Sequence, residues 1–242
     1  MIQPELHSAV EMPVELWVNN KIITTFMCTP SDLEELAIGH LLTRGMIKDI
    51  SHIDDININL NTYQIFVTTN KPISTKLYSV PEFVLSGTSS VDKFSNNIYK
   101  IPKIENDFAV ELSKIVKIAN TMEKEAIIYN TTGGVHGAIV ADTEKNIHFV
   151  REDIGRHCAV DKAIGISLKK GLDLSNTFIC TTGRISLDML LKCAVVQIPI
   201  VASLKYPSDM GINLANYYGI SIVSRILSEN PLIYTNEQRI IK

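Results

Sequence analysis

The chain has 242 residues, 45% of them hydrophobic, enough for one large or two small domains with a substantial core. Its formal net charge of −3 excludes the strongly basic surface of a protein that coats nucleic acid. The opening Met-Ile-Gln-Pro-Glu-Leu-His lacks the basic start and apolar run of a secretion signal. The most apolar stretch, 189–204, is broken by Lys192, Gln197 and Pro199 and falls short of the roughly 20 apolar residues a membrane helix needs. A soluble cytoplasmic protein is expected, with neither nucleic acid nor membrane as a partner.

In chain order, residues 13–18 and 21–28 read as a hairpin around Asn19-Asn20, because asparagine tolerates the left-handed turn conformation. Ser31-Asp32-Leu33-Glu34 fits a capping box, followed by the apolar stripe Leu33, Leu36, Ala37 and Leu41, with Gly45 to close the helix. Strands follow at 52–60 and 63–69, joined by Asn61-Thr62. Residues 85–97 have loop composition. A helix is expected over 107–122, capped by Asp107, with Phe108, Leu112, Ile115, Ile118 and Ala119 on one face.

Beyond this point the rhythm changes. Strands at 137–142 and 146–151 flank a turn at 143–146. Then come helix 156–169, strand 176–181, helix 186–197, strand 199–204, helix 207–218, strand 219–225 and strand 231–235. Short apolar strands alternating with helices predict an α/β fold with a mostly parallel sheet covered on both faces, in three layers. The expected organisation is a smaller mixed α/β N-terminal lobe over 1–105, including the 85–97 loop, and an α/β domain over 106–242.

The cysteines stand at 28, 158, 180 and 193, with no Cys-x-x-Cys among them, which argues against a zinc ribbon or a thioredoxin-type redox pair. Cys28, Cys180 and Cys193 have apolar neighbours and read as buried thiols. Four segments carry most of the chemistry: Thr131-Thr132-Gly133-Gly134-Val135-His136, the run Arg151-Glu152-Asp153-Ile154-Gly155-Arg156-His157-Cys158 up to Asp161-Lys162, then Thr181-Thr182-Gly183-Arg184-Ile185-Ser186, and Ser203-Leu204-Lys205-Tyr206-Pro207. The last three join a strand end to a helix start, and in a parallel sheet such junctions line one crevice where helix N–H groups and basic side chains suit an anion. Each signal also has a plainer reading. Gly133-Gly134 can serve only a turn, His136 can be a hydrogen-bonded structural histidine, Asp153 and Ser186 can be helix caps, and Asp161 and Lys162 can decorate an exposed face. Arg156 and Arg184 are harder to dismiss, since a cation at a helix N-terminus opposes the dipole by about 0.3–1 kcal/mol unless an anion or acidic partner compensates. Glu152 and Asp153 could compensate Arg156 internally, whereas Arg184 has only Asp188 nearby in sequence.

These segments resemble those of a known family. The run 151–165, with Thr132-Gly133-Gly134-Val135-His136, with Gly183-Arg184-Ile185-Ser186 and Asp188-Met189, and with Leu33-Glu34-Glu35-Leu36-Ala37-Ile38-Gly39 and Gly45-Met46-Ile47, resembles in order the segments of the formate dehydrogenase accessory proteins, the FdhD sulfurtransferase family. The resemblance implies a cytidine-deaminase-like C-terminal domain and a role in moving sulfur from a cysteine desulfurase to the molybdenum cofactor before formate dehydrogenase receives it. It further implies binding of molybdopterin guanine dinucleotide, or of a guanine nucleotide in its place, and a homodimer. On this reading Gly133, Gly134, His136, Glu152, Asp153, Arg156, His157, Lys162, Arg184 and Ser186 bind the cofactor. The arginines and helix N–H groups would hold phosphate, and the carboxylates would hold ribose or guanine donors.

Two segments depart from the family pattern. Its sulfur-carrying Cys-Gly-x-Cys-Gly falls where this chain has Gly87-Thr88-Ser89-Ser90-Val91-Asp92-Lys93-Phe94, without a cysteine. A serine hydroxyl cannot carry a persulfide. The family's glycine- and arginine-bearing segment before the last strand is replaced by Arg225-Ile226-Leu227-Ser228-Glu229-Asn230. Zinc deaminases place His-x-Glu and Pro-Cys-x-x-Cys at two helix starts. The corresponding places, His157-Cys158-Ala159 and residues 185–189, lack the glutamate and both thiolates, so no zinc is expected. Cys158, in a first helical turn near Arg156 and His157, is the one candidate for a catalytic thiol, packing being the alternative. Two readings of function stay open here: an accessory protein that binds and helps to sulfurate the cofactor, or a non-catalytic paralogue that binds it as a chaperone. An unrelated nucleotide-processing enzyme on the same fold lacks a recognisable nucleophile.

Overall fold

The computed structural model describes residues 8–74, 101–142 and 144–242; the 85–97 loop and Thr143 lie outside them. A four-stranded sheet of order β2-β1-β4-β3 is built from β1 (Met12–Val18), β2 (Lys21–Cys28), β3 (Ile53–Asn59) and β4 (Gln64–Thr69). Asn19 and Asn20 have φ of 48° and 63°, the pair of left-handed conformations that a two-residue hairpin turn requires. The inward side chains Val14, Leu16, Val18, Ile65 and Val67 pack against α1 (Leu33–Thr43).

The capping box at the start of α1 does not form. Asp32 is left-handed, with φ 50°, and makes no side-chain cap; its carboxylate lies 3.4 Å from Arg151 instead. The far end follows the sequence. Gly45, with φ 64°, donates to Leu42 O at 2.8 Å and Met46 donates to Leu41 O at 2.9 Å, a Schellman closure.

The second sheet has six strands in the order β11-β10-β9-β8-β6-β7. They are β6 (His136–Asp142), β7 (Ile147–Asp153), β8 (Phe178–Thr181), β9 (Ile200–Ser203), β10 (Ser221–Ser224) and β11 (Leu232–Ile233). Of these, β8, β9 and β10 pair in parallel, while β6 runs antiparallel to both neighbours and β11 antiparallel to β10. The sheet is therefore mixed rather than mostly parallel, because β6 and β7 form a hairpin inserted beside β8. The strands β7, β8, β9 and β10 still share one direction, and their C-terminal ends lie along one edge with the start of β6.

Both faces of this sheet are covered. One carries Ala138, Val140, Ile179, Val201 and Ile222 against α4 (Arg156–Lys169), α5 (Leu187–Val195) and α6 (Asp209–Tyr218). The other carries Ile139, Ala141, Phe178, Cys180 and Ala202 against α2 (Leu112–Glu125). Burial on both sides explains why these strands read as continuous apolar runs.

The helix expected from Asp107 begins only at Leu112. Residues just before it form β5 (Val110–Glu111), which pairs in parallel with β12 (Ile240–Ile241), and strand pairing wins over helix extension there. A short helix not foreseen in the sequence, α3 (Ile127–Thr132), has poor intrinsic propensity; Glu152 makes it possible, accepting from the N–H groups of Ile128 and Tyr129 at 2.9 and 2.8 Å.

The two halves meet where α1 crosses α4. A methyl group added at Gly39 would collide with the Asp161 carbonyl, and one at Gly165 with the Glu35 carbonyl, so the backbones touch. Around this crossing lie two buried charge clusters. Lys192 Nζ meets the Asp161 carboxylate at 2.6 Å, Thr43 Oγ1 donates to it at 2.8 Å, and His40 Nδ1 stands 3.5 Å away. Lys162 meets Asp153 at 2.6 Å and donates to Thr29 O at 2.9 Å, while the Thr29 N–H donates to Asp153 at 3.2 Å. Burial pushes the Asp161 carboxyl up, but Lys192 and His40 overcome this and hold it well below the ordinary carboxylate range. Burial lowers His40 despite Asp161, and burial with Lys192 and Arg156 lowers His157 to about 4.

Gly39→Ala and Gly165→Ala should each destabilise the protein by about 1–3 kcal/mol or more, read as a lowered urea midpoint, because neither backbone has room to withdraw. Stability should also fall on acidification. The unfolded chain binds a proton at His157 below about pH 6.5, the folded one only near 4, so each step down through that window favours unfolding. The melting temperature should drop between pH 7 and pH 4.5, and less steeply in His157→Gln, as measured by scanning calorimetry.

Candidate functional site

At the start of β6, His136 lies opposite Asp153 at the end of β7. Thr182, just past β8, accepts from the Gly137 N–H at 3.1 Å and meets His136 Nδ1 at 3.1 Å. Ser203, ending β9, donates to Gly183 O at 2.7 Å and accepts from the Lys205 N–H at 2.9 Å. Adjacent strand ends are thus laced together, and the edge they form is rigid.

Above this edge opens a cleft of about 420 Å³, walled by Tyr129, Gly133, Gly134, His136, Thr182 and Lys205. Gly133 ends α3 with φ 66°, a conformation that needs glycine, and so turns the chain into β6. Burial, then the charges of Arg156 and Lys205, lower the His136 pKa, so its imidazole is neutral at pH 7. Both cations therefore act on the same histidine.

The stem of Arg156 lies on Gly183, where a Cβ would come within 2.9 Å of the Arg156 Cβ, so only glycine leaves it room. Arg156 Nε is buried without a hydrogen-bond partner, and so is Ser186 Oγ, which stands at the N-cap of α5 but does not cap it. Arg184, two residues before Ser186, is exposed. Among the described residues, Arg156, Arg184 and Lys205 form no ion pair with a carboxylate. Three unpaired cations and two unsatisfied buried polar atoms at neighbouring strand ends form an arrangement that an anion with several oxygen atoms would satisfy.

Of the residues singled out in the sequence, Gly133, Gly134 and His136 line the cleft, Arg156 acts on His136 from beside Gly183, and Arg184 and Ser186 stand past the end of β8 outside the cleft wall. The edge does not deliver Glu152, Asp153 and Lys162 to a ligand. Glu152 is engaged with the first turn of α3, and Asp153 and Lys162 are both 0% exposed and spent on each other. Burial raises Asp153 above its ordinary value even against Lys162. His157 is half-buried and does not line the cleft, and the charges acting on it are those of Lys192, Arg156, Asp161 and Asp188. Tyr129, Thr182 and Lys205 were not singled out. Thr182 and Lys205 lie inside the quoted motifs, and their place one residue or two beyond a strand end is the signal that could have found them.

Cys158 is not an activated thiol. It packs with Cys28 and the α1 core, and burial together with Asp153 and Asp161 raises its pKa far above that of a free cysteine. Its helix start lowers nothing, because the nearby carboxylates and desolvation outweigh the dipole. The other three thiols are buried as well, Cys28 and Cys193 each pushed up to about 12. Among the described residues no group of three or more His, Cys, Asp or Glu side chains could hold a metal, and no helix is long and apolar enough to cross a membrane.

Comparison with known proteins shows the family. The chain is 28% identical over 243 residues to the sulfur carrier protein FdhD of Geobacillus kaustophilus, covering 99% of this chain and 92% of that one. It is 30% identical over 246 residues to the protein of the same name from Bacillus licheniformis, with the same coverage. Among solved structures, a crystal structure described as that of a formate dehydrogenase accessory protein from Desulfotalea psychrophila superposes with a TM-score of 0.80 at 27% identity, over 98% of this chain and 91% of that one. The model of the FdhD/NarQ family matches residues 9–241, and the chain belongs to that family.

Proposed function

We propose that this chain is a cytoplasmic accessory protein for formate dehydrogenase that binds the molybdenum cofactor as molybdopterin guanine dinucleotide, or a guanine nucleotide in its place, and that it does not carry sulfur on a cysteine of its own. One observation carries this reading. The strand-end edge leaves Arg156 Nε and Ser186 Oγ unsatisfied, while all four cysteines of the chain are buried. A persulfide carrier needs an accessible thiolate, since the thiolate is the nucleophile that accepts and passes on sulfur.

The residues present fit such a ligand. Arg156, Arg184 and Lys205 offer charge-assisted donors to pyrophosphate oxygens, the first turn of α5 offers free N–H groups, and neutral His136 offers a ring nitrogen to a ligand hydroxyl or phosphate. The molybdenum–dithiolene part is cargo, bound for the client enzyme and taking no part in the fold. The cytidine-deaminase-like layering and the homodimer belong to the same proposal, as does a cysteine desulfurase acting on a neighbouring carrier rather than on this chain. The accessory-protein names of the similar proteins support the choice of formate dehydrogenase as client. A sulfurtransferase acting through Cys158 is the reading that the buried thiols disfavour.

Calorimetric titration with guanosine diphosphate should show binding that weakens at least about tenfold in Arg156→Ala and in Arg184→Ala, the loss expected for one charge-assisted hydrogen bond. Unchanged affinity in both variants would remove the phosphate assignment. Incubation with a cysteine desulfurase and cysteine should leave all four thiols without added sulfur by intact-mass spectrometry; a persulfide on Cys158 would restore the sulfurtransferase reading.

A further inference from the structure

The basic edge does not stop at Lys205. One strand further along, β10 ends at Ser224, and the next residue, Arg225, has a left-handed backbone with φ 52° although it is not glycine. A non-glycine residue is held this way only when its surroundings over-determine it. Here the turn aims the Arg225 guanidinium at Tyr206. Its carbon lies 5.6 Å from the ring centroid, and Nη1 donates to the Tyr206 hydroxyl at 3.2 Å.

Tyr206 is 53% exposed, on a segment whose neighbours are held by hydrogen bonds. The segment is anchored on both sides. Ser224 Oγ donates to Lys205 O at 2.9 Å, the Lys205 N–H is taken by Ser203, and the Ile226 N–H by Ser203 O at 3.1 Å. An anchored segment therefore presents an exposed tyrosine ring with a guanidinium over it immediately beyond Lys205, which lines the cleft. The strand order β10-β9-β8-β6 places Arg225 three strand spacings, about 14 Å, from His136 at the opposite end of the edge.

We propose that Tyr206 and Arg225 form a stacking subsite for the planar heterocyclic ring of a ligand whose phosphates lie along the Lys205, Arg184 and Arg156 edge. Aromatic and guanidinium planes hold bases by stacking, an interaction that needs a ring but is tolerant of which one. The pair thus distinguishes a nucleotide from a bare polyphosphate. This assignment rests on the phosphate reading of the edge given above.

The test compares guanosine diphosphate with inorganic pyrophosphate by calorimetry. Wild-type protein should bind the nucleotide about tenfold more tightly than pyrophosphate, the gain expected of one stacked base. Tyr206→Leu should abolish that preference and leave pyrophosphate affinity within about twofold of wild type, whereas Tyr206→Phe should keep it, since the ring and not the hydroxyl does the stacking. Equal affinities for the two probes in wild type, or a preference that survives Tyr206→Leu, would overturn the subsite while leaving the phosphate site standing. Binding of neither probe would overturn both.

Discussion

The structure depends on a contact in which two helices touch through their backbones. Gly39 on α1 meets the Asp161 carbonyl and Gly165 on α4 meets the Glu35 carbonyl, each glycine on one helix facing a peptide group of the other. At that separation there is no space for side chains between the axes, so the charged residues beside the crossing are sealed from water. Sealing is costly for Asp161 and Asp153 unless each finds a partner, and Lys192 and Lys162 supply them. The resulting clusters fix α4 in rotation and along its axis, and with it the turn in which Arg156 begins the helix. Thr29, from the N-terminal half, is bonded to both sides of that turn, through Asp153 and through the Ile154 N–H. The N-terminal half is thus part of the apparatus that positions the strand-end cations.

Two kinds of acidic residue stand in the 151–162 run, and they serve different ends. Glu152 reaches away from the edge to hold up α3, one wall of the cleft, while Asp153 turns inward to neutralise Lys162. Neither neutralises Arg156. Among the described residues no carboxylate pairs with the positive charge at the start of α4, in a protein whose overall charge is negative. Local charge and net charge have opposite signs here, and on the proposed function it is the local one that recruits the ligand.

Much of this was legible in the sequence because local chemistry and tertiary structure agreed. The Asn19-Asn20 hairpin, the Gly45 closure and the extent of α4 followed from turn and helix signals that packing left undisturbed. The place of Gly133, Gly134 and His136 in the cleft wall followed from their position at the start of a strand. What could not be read was decided by partners distant in sequence. Asp32 gives up its cap to face Arg151, residues 110–111 pair with residues 240–241, and Ile127–Thr132 is helical because of a carboxylate two elements later. The same reason hides the fate of Asp153 and Lys162. A spacing of nine along the chain resembles a ligand set, and only the fold shows that the two close on one another. The sheet direction was missed because the β6–β7 hairpin, legible from its turn, carries no local sign that β6 pairs antiparallel with β8.

The bond between Glu152 and the first turn of α3 gives the cleft a mechanical property. The same strand, β7, that carries this carboxylate runs on within a few residues to Arg156, so the roof of the opening and its positive charge hang from one rod. Any push on that rod alters how wide the mouth stands and where the guanidinium sits in the same stroke. Under the function proposed above, admission of a guest and its electrostatic grip are geared together.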